Sequence, residues 1–129
     1  MNAHADATQL LNGGWRTLTF APFRPGVEIC KLVDGGAEGA SVAVLRYQPG
    51  AAVPWHLHQG LETVLVLEGS QSDESGCYQA GSIVFNEAGT EHSVWSDDGC
   101  VVLIQWERPV LILDEEDVKR GADRPDARA

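Results

Sequence analysis

The chain has 129 residues, with 9 basic and 19 acidic side chains, and its formal net charge is −10. This length suits a single domain with one core, and a hydrophobic content of 43% excludes a disordered chain. Because so acidic a surface repels polyanions, we expect neither a nucleic acid nor an anionic membrane as partner.

Features of export and membrane insertion are absent from the sequence. No apolar run approaches the roughly 20 residues that span a bilayer. The opening stretch, MNAHADATQLLN, lacks the basic start and apolar segment of a secretory signal. Three widely spaced cysteines, Cys30, Cys77 and Cys100, favour reduced thiols over a zinc ribbon or a disulfide framework. We therefore expect a cytoplasmic protein with no membrane partner.

Glycine and proline recur about every eight to twelve residues, a spacing that is typical of an all-β sandwich or barrel. The runs between these turns are rich in valine, isoleucine, leucine and aromatic residues, which favour strands. In chain order, the predicted strands are Trp15–Phe20, Val27–Val33, Ser41–Gln48, Thr63–Gly69, Ser82–Asn86, His92–Ser96, Cys100–Trp106 and a short run that ends at Leu113.

Composition divides the chain into an N-terminal extension (residues 1–12), a barrel domain (13–113) and a charged C-terminal tail (114–129). In the tail, DEEDVKR favours a helical turn, because its acids come early and its bases late. The runs TVLVL and CVVLI are apolar on both faces, which suits strands that are covered on both sides by a second sheet or a partner subunit. A homodimer through an outer sheet face is therefore a hypothesis.

The segment PWHLHQGLE contains two of the four histidines. His56 and His58 are two residues apart, so both side chains point to the same side of a strand. Glu62 follows at the start of the next strand, and His92 opens a later one. Imidazole and carboxylate groups suit Zn²⁺, Fe²⁺, Mn²⁺, Co²⁺ or Ni²⁺. We predict that these four side chains bind one divalent metal ion; the alternative is a chance grouping of polar residues on a β scaffold.

Two segments resemble the motifs of the cupin superfamily, whose members are RmlC-like. GAAVPWHLHQGLETVLVLEG matches the first motif, G-x5-H-x-H-x3-E-x6-G, at every specified position. GSIVFNEAGTEHSVWS matches the second, G-x5-P-x-G-x2-H-x3-N, except that Glu87 replaces the proline and Ser96 the asparagine, from which we expect a looser turn. The resemblance implies an all-β, single-domain double-stranded β-barrel, or jelly roll, with one metal ion bound in its mouth by the same four side chains.

A longer segment, LVLEGSQSDESGCYQAGSIVFNEAGTEHSVWSDDGCVVL, resembles the cupin-like domain of the ChrR-type zinc-binding anti-sigma factors. Zn²⁺ is our first choice for the ion. In that family the full-length proteins also carry an N-terminal helical domain that binds the sigma factor through a zinc site of its own. Residues 1–40, which precede the motif here, hold no matching cluster of histidine and cysteine. The resemblance therefore supports the metal and the barrel, and this chain alone does not support a sigma-factor partner.

Strand parity and composition predict the walls of the cavity. The expected pocket-lining residues are Tyr47, Val53, Val64, Val66, Phe85, Val94 and Trp106. Val53 stands where oxalate-decarboxylase-like cupins carry an arginine. A pocket of valines without a basic residue is a poor site for a dicarboxylate, because nothing would neutralise its buried charge.

Two functions follow from the coordination of the metal. Zn²⁺ that is held by all four side chains has no free position, which suits a binding or sensor module like the anti-sigma cupin-like domain. An ion that prefers six ligands keeps about two positions free, which suits a dioxygenase acting on a small apolar or aromatic compound. A metal-free structural barrel is the third alternative. Metal identity, small-molecule ligand and catalytic activity remain open at this point.

Overall fold

The computed structural model describes residues 7–113. Two 3₁₀ turns, Leu10–Asn12 and Gly14–Thr17, come first, and ten strands follow. The strands are β1 (Ala21–Arg24), β2 (Val27–Val33), β3 (Ser41–Tyr47), β4 (Ala52–Leu57), β5 (Glu62–Asp73), β6 (Gly76–Gln79), β7 (Ile83–Asn86), β8 (Glu91–Trp95), β9 (Cys100–Trp106) and β10 (Leu111–Ile112). Within this range no helix has the length and apolarity that crossing a membrane requires.

Strand β5 connects the two sheets of the barrel. Its first part pairs antiparallel with β9 and β7, which gives a first sheet in the order β1-β2-β3-β9-β5-β7. Its last part, residues 70–73, pairs with β6 and β8, which gives a second sheet in the order β10-β4-β8-β5-β6. The two sheets face each other around one core, so the predicted all-β jelly roll is confirmed.

Gly69 lies where β5 passes from the first sheet to the second. Its φ of +72° is left-handed, a conformation that favours glycine. A methyl group at this position would also clash with the carbonyl oxygen of Gly99. The glycine that ends the first motif is therefore required by a close backbone approach at the corner of the barrel.

The apolar residues of the first sheet form two clusters, one on each face of the sheet. Inside the barrel, a cluster that includes Leu45 and Val102 is fully buried. On the outer face of the same sheet, the neighbouring residues Val44 and Val101 pack against Trp15. The strands are apolar on both faces because the N-terminal segment of the same chain covers the outer face. The sequence pattern by itself predicts a second sheet or a partner subunit at this position.

Several expected elements differ from the structure. The prediction of a strand at Trp15–Phe20 is wrong, because a 3₁₀ turn and an extended segment lie there. This segment covers the outer face of the first sheet and buries the Trp15 side chain without pairing with another strand. The short strands β1 and β6 were not predicted, and β4 was expected only as the strand that carries His56 and His58. The tail segment DEEDVKR and His4 lie outside the described residues, and the domain boundaries stay a prediction.

The two departures from the second motif are compensated by hydrogen bonds. At the position of Glu87, the turn is closed by the N–H and the hydroxyl of Thr90, which both donate to the Glu87 carbonyl oxygen at 3.2 and 2.6 Å. The Ser96 hydroxyl, fully buried, donates to the carbonyl oxygen of Ser70 at 2.6 Å. These bonds hold the segment, and the expected loosening of the turn is not seen.

Candidate metal centre

Three imidazoles converge inside the barrel from two neighbouring strands. His56 on β4 is the register partner of His92 on β8. His58 lies just beyond the end of β4, and its backbone N–H donates to the Thr90 carbonyl oxygen at 2.9 Å. The three side chains are almost completely buried, and each offers one ring nitrogen within 4.8 Å of the others. Such a spacing would allow the three nitrogens to bind a single ion.

Backbone and hydroxyl oxygens orient the first two rings. Nδ1 of His56 lies 2.8 Å from the carbonyl oxygen of Pro54. Nδ1 of His58 lies 3.0 Å from the carbonyl oxygen and 2.9 Å from the hydroxyl oxygen of Thr90. A carbonyl oxygen can only accept, so the proton of each ring is on Nδ1 and the lone pair is on Nε2. This is the tautomer that binds a metal through Nε2.

A carboxylate orients the third ring. Nδ1 of His92 lies 3.0 Å from Oδ2 of Asp73, a residue at the end of β5. With the Nδ1 atoms engaged, the Nε2 atoms of His58 and His92 are buried and have no hydrogen-bond partner. A buried polar atom without a partner is costly. The donor set therefore fits a ligand at the centre of the cluster, and its chemistry fits a divalent metal ion.

Glu62, the first residue of β5, lies beside the imidazoles. Its Oε1 accepts from the side-chain amide of Asn86 at 2.9 Å, and its Oε2 accepts from the indole N–H of Trp106 at 2.9 Å. Oε1 is 3.5 Å from Nε2 of His58, beyond a good hydrogen bond. Each carboxylate oxygen has a second lone pair, so the two donors fix the carboxylate and leave it able to bind an ion.

Burial sets the protonation of the cluster. Burial lowers the pKa of His56 to about 4, and burial with the neighbouring His58 lowers the pKa of His92. His56 and His92 are thus neutral near pH 7, which is the form that binds metals. Burial also raises the pKa of the Cys100 thiol to about 11, so this cysteine is an inert core residue and no ligand, as the sequence predicts.

A small cavity of about 40 Å³ adjoins the cluster and is bounded by His56 and Glu62. Of the expected lining residues, the structure places Tyr47, Val53, Val94 and Trp106 in its wall. Val64 and Val66 are buried in the barrel core and do not line this cavity. Phe85 must be corrected: its side chain is 60% exposed, because Asn86 takes the inward position on β7 and strand alternation turns Phe85 outward.

Sequence reasoning missed several residues of the site. Asp73, Thr90 and Asn86 orient the candidate ligands, and Arg24 lines the cavity from β1. The expectation of a pocket without a basic residue is therefore wrong, since a guanidinium arrives from a strand that carries no motif. Asp73 lies in the segment that resembles the ChrR-type domain, which was the one available signal. The sequence contains no signal that would have placed Arg24 in the cavity.

The family model of the ChrR cupin-like domain matches residues 13–108. The curated anti-sigma-E factor ChrR of Cereibacter sphaeroides is 36% identical over 99 residues, which are 74% of this chain and 43% of that protein. This chain thus spans less than half the length of that relative.

Solved structures with the same fold include the ChrR family and an enzyme. The crystal structure of Rhodobacter sphaeroides SigE in complex with the anti-sigma ChrR superposes with a TM-score of 0.63 at 32% identity, over 70% of this chain and 50% of that chain. An acetylacetone dioxygenase from Acinetobacter johnsonii superposes with a TM-score of 0.70 at 16% identity, over 76% of this chain and 74% of that one. The second likeness shows the fold alone.

Proposed function

Because the chain belongs to the ChrR cupin-like domain family, we propose that it is a metal-binding sensor or binding module that holds one divalent ion with His56, His58, Glu62 and His92. The observation that carries the proposal is the pair of buried Nε2 atoms, on His58 and His92, that have no hydrogen-bond partner. An ion at that point would satisfy both atoms and remove the cost of their burial.

Zn²⁺ is the proposed ion. Three neutral imidazoles and one carboxylate form a donor set that Zn²⁺ accepts in tetrahedral geometry. The chain's own residues would hold this geometry: Asn86 and Trp106 fix the carboxylate of Glu62, and the Nδ1 acceptors fix the rings. When all four ligands are engaged, the ion stabilises the barrel and supplies no open position for chemistry.

The proposed role of the module is narrower than that of its relatives. A sigma-factor partner is named for the SigE complex, and this chain matches only 43% of the anti-sigma-E factor ChrR. We therefore restrict the proposal to a cupin module whose metal-supported cavity binds a small molecule. The three cysteines are free, and we propose a reducing compartment, the cytoplasm, as its location.

A metal-dependent dioxygenase is the second candidate. The cavity beside His56 and Glu62 favours it, because a substrate could reach the ligands from that side. A bound Fe²⁺ or Mn²⁺ with open positions would supply the activation of O₂. The residues of this chain would confine the substrate between Tyr47 and Trp106 and keep bulk water out. The two candidates differ in the number of water molecules on the metal and in O₂ consumption.

Metal analysis of the purified protein tests the proposal. We expect about one equivalent of zinc in the wild type and less than about a tenth of that in His58→Ala, since loss of one ligand weakens binding strongly. His4→Ala removes the fourth histidine of the chain and is the matched control, with metal content retained. Equal zinc in wild type and His58→Ala would contradict the metal site. X-ray absorption then separates a four-ligand zinc from a six-coordinate iron or manganese.

A further inference from the structure

A surface groove of about 440 Å³ adjoins the small cavity. Four residues line both spaces and mark the passage between them, namely Phe23, Arg24, Trp106 and Val110. The rings of Phe23 and Trp106 lie 6.3 Å apart at an angle of 46°. Ile29 and Pro109 extend the apolar wall of the groove. The groove is large enough for a small organic molecule, whereas the inner cavity admits only its narrow end.

Arg24 is the unpaired cation of this passage. Its guanidinium lies 4.9 Å from the centre of the Phe23 ring, and within residues 7–113 no carboxylate forms an ion pair with it. The other arginines of the same region each have such a partner: Arg16 pairs with Glu68, Arg46 with Glu28 and Arg108 with Glu38. On a protein with a net charge of −10, an arginine that forms no ion pair within the described residues is a distinctive anion-binding group.

Other charges around the groove limit the anion to a single negative group. Lys31 lies in the same groove, but its ammonium is 3.4 Å from the carboxylate of Asp34. At the inner end, the polar groups beside His56 and Glu62 are the uncharged side chains of Tyr47 and Gln71. Among residues 7–113, a second acidic group on a ligand would therefore find no free side-chain cation at either end.

We propose that the groove binds a small monocarboxylate with an apolar or aromatic body, whose carboxylate pairs with Arg24 and whose body packs on Phe23 and Trp106. This inference deepens the proposed function and rests on it, because it names the class of ligand that the metal-supported cavity would bind. The guanidinium supplies a charge-assisted, bidentate contact, and the two aromatic rings supply the apolar area. A dicarboxylate gains no second contact of this kind, because Lys31 is already paired with Asp34.

Titration of the full chain with 4-phenylbutyrate, followed by the indole N–H resonance of Trp106, tests the inference. We expect saturable shifts with 4-phenylbutyrate. With 4-phenylbutanamide, which has the same shape without the charge, we expect binding to be about tenfold weaker, as loss of a charged hydrogen bond predicts. Arg24→Gln should weaken 4-phenylbutyrate binding by a similar factor, and Arg24→Lys should retain part of the wild-type affinity.

Arg16→Gln is the matched control, since Arg16 is exposed, lines neither space and already pairs with Glu68. Its affinity for 4-phenylbutyrate should equal that of the wild type. Equal binding of the acid and the amide, or unchanged binding in Arg24→Gln, overturns the inference. Zinc content is measured on the same samples: retained zinc with no carboxylate binding defeats this inference alone, whereas a wild type without zinc defeats the proposed function.

Discussion

Asp73 and His92 form a carboxylate–imidazole pair in which the two oxygens of Asp73 have different hydrogen-bond partners. Oδ2 of Asp73 lies 3.0 Å from Nδ1 of His92. Oδ1 accepts the backbone N–H groups of Ser75 and Gly76, at 2.7 and 3.2 Å, and so closes the turn between β5 and β6. One residue thus couples the shape of the second sheet to the orientation of a candidate metal ligand.

Replacement of Asp73 by asparagine is expected to weaken zinc binding by about 10- to 100-fold, because the ring of His92 loses its charged acceptor. One amide oxygen remains for the turn, so the fold should persist with an unchanged circular dichroism spectrum. Competition with a chromophoric chelator measures the affinity. Asp34→Asn changes an exposed carboxylate and is the control. Wild-type zinc affinity in Asp73→Asn would show that the pair has only a structural role.

The metal-free protein is expected to lose stability between about pH 6.5 and pH 4. In the unfolded chain a histidine titrates near 6.5, whereas burial lowers the pKa of His56 in the folded protein to about 4. Between these values the unfolded state binds more protons, so the free energy of unfolding falls as the pH falls. The slope is up to about 1.4 kcal/mol per pH unit for one such group.

Urea unfolding of chelator-treated protein at a series of pH values measures this dependence. His56→Gln removes one titrating imidazole and should give a shallower slope than the wild type. A stability that stays flat from pH 7 to pH 4.5 in the metal-free protein would contradict the neutral, buried state of His56.

Substitution of Gly69 by alanine is expected to destabilise the protein by more than about 3 kcal/mol. The left-handed backbone alone costs a non-glycine residue about 1–2 kcal/mol, and the methyl group would also strike the carbonyl oxygen of Gly99. Gly36→Ala is a close control, because Gly36 has nearly the same φ, +71°, and open space around it. Equal urea midpoints for the two variants would show that the close approach at the corner is unimportant.

We expect the protein to form a homodimer through the exposed face of β7. This strand ends the first sheet, and its outward side chains Ile83 and Phe85 are 55% and 60% exposed. Light scattering of the wild type at micromolar concentration should give the mass of two 13.9 kDa chains, and the Phe85→Glu variant should have the mass of a single chain. Val33→Glu, at another exposed apolar position, is the control. A single-chain mass for the wild type would refute the dimer.

Local sequence features predicted parts of the fold with accurate bounds and failed elsewhere for identifiable reasons. The strands Val27–Val33 and Cys100–Trp106 match, because both segments begin directly after a glycine and are rich in β-branched residues. The segment around Trp15 has a similar composition, yet it packs as a cover on the sheet. Strand β5 continues to Asp73 past its glycine, because pairing with β6 stabilises a polar run that has no intrinsic strand pattern.

The sequence by itself determined the jelly-roll fold and the convergence of His56 and His58, since a two-residue spacing on extended backbone sends both side chains to one side. Only the tertiary structure decided what surrounds them. The pairs Asp73–His92 and Trp106–Glu62 join residues 19 and 44 positions apart, and Arg24 reaches the cavity from a strand without a motif. Such contacts depend on the register between strands and on the bend where β5 passes from one sheet to the other. Both arise only when distant segments pair, so a local pattern of residues does not encode them.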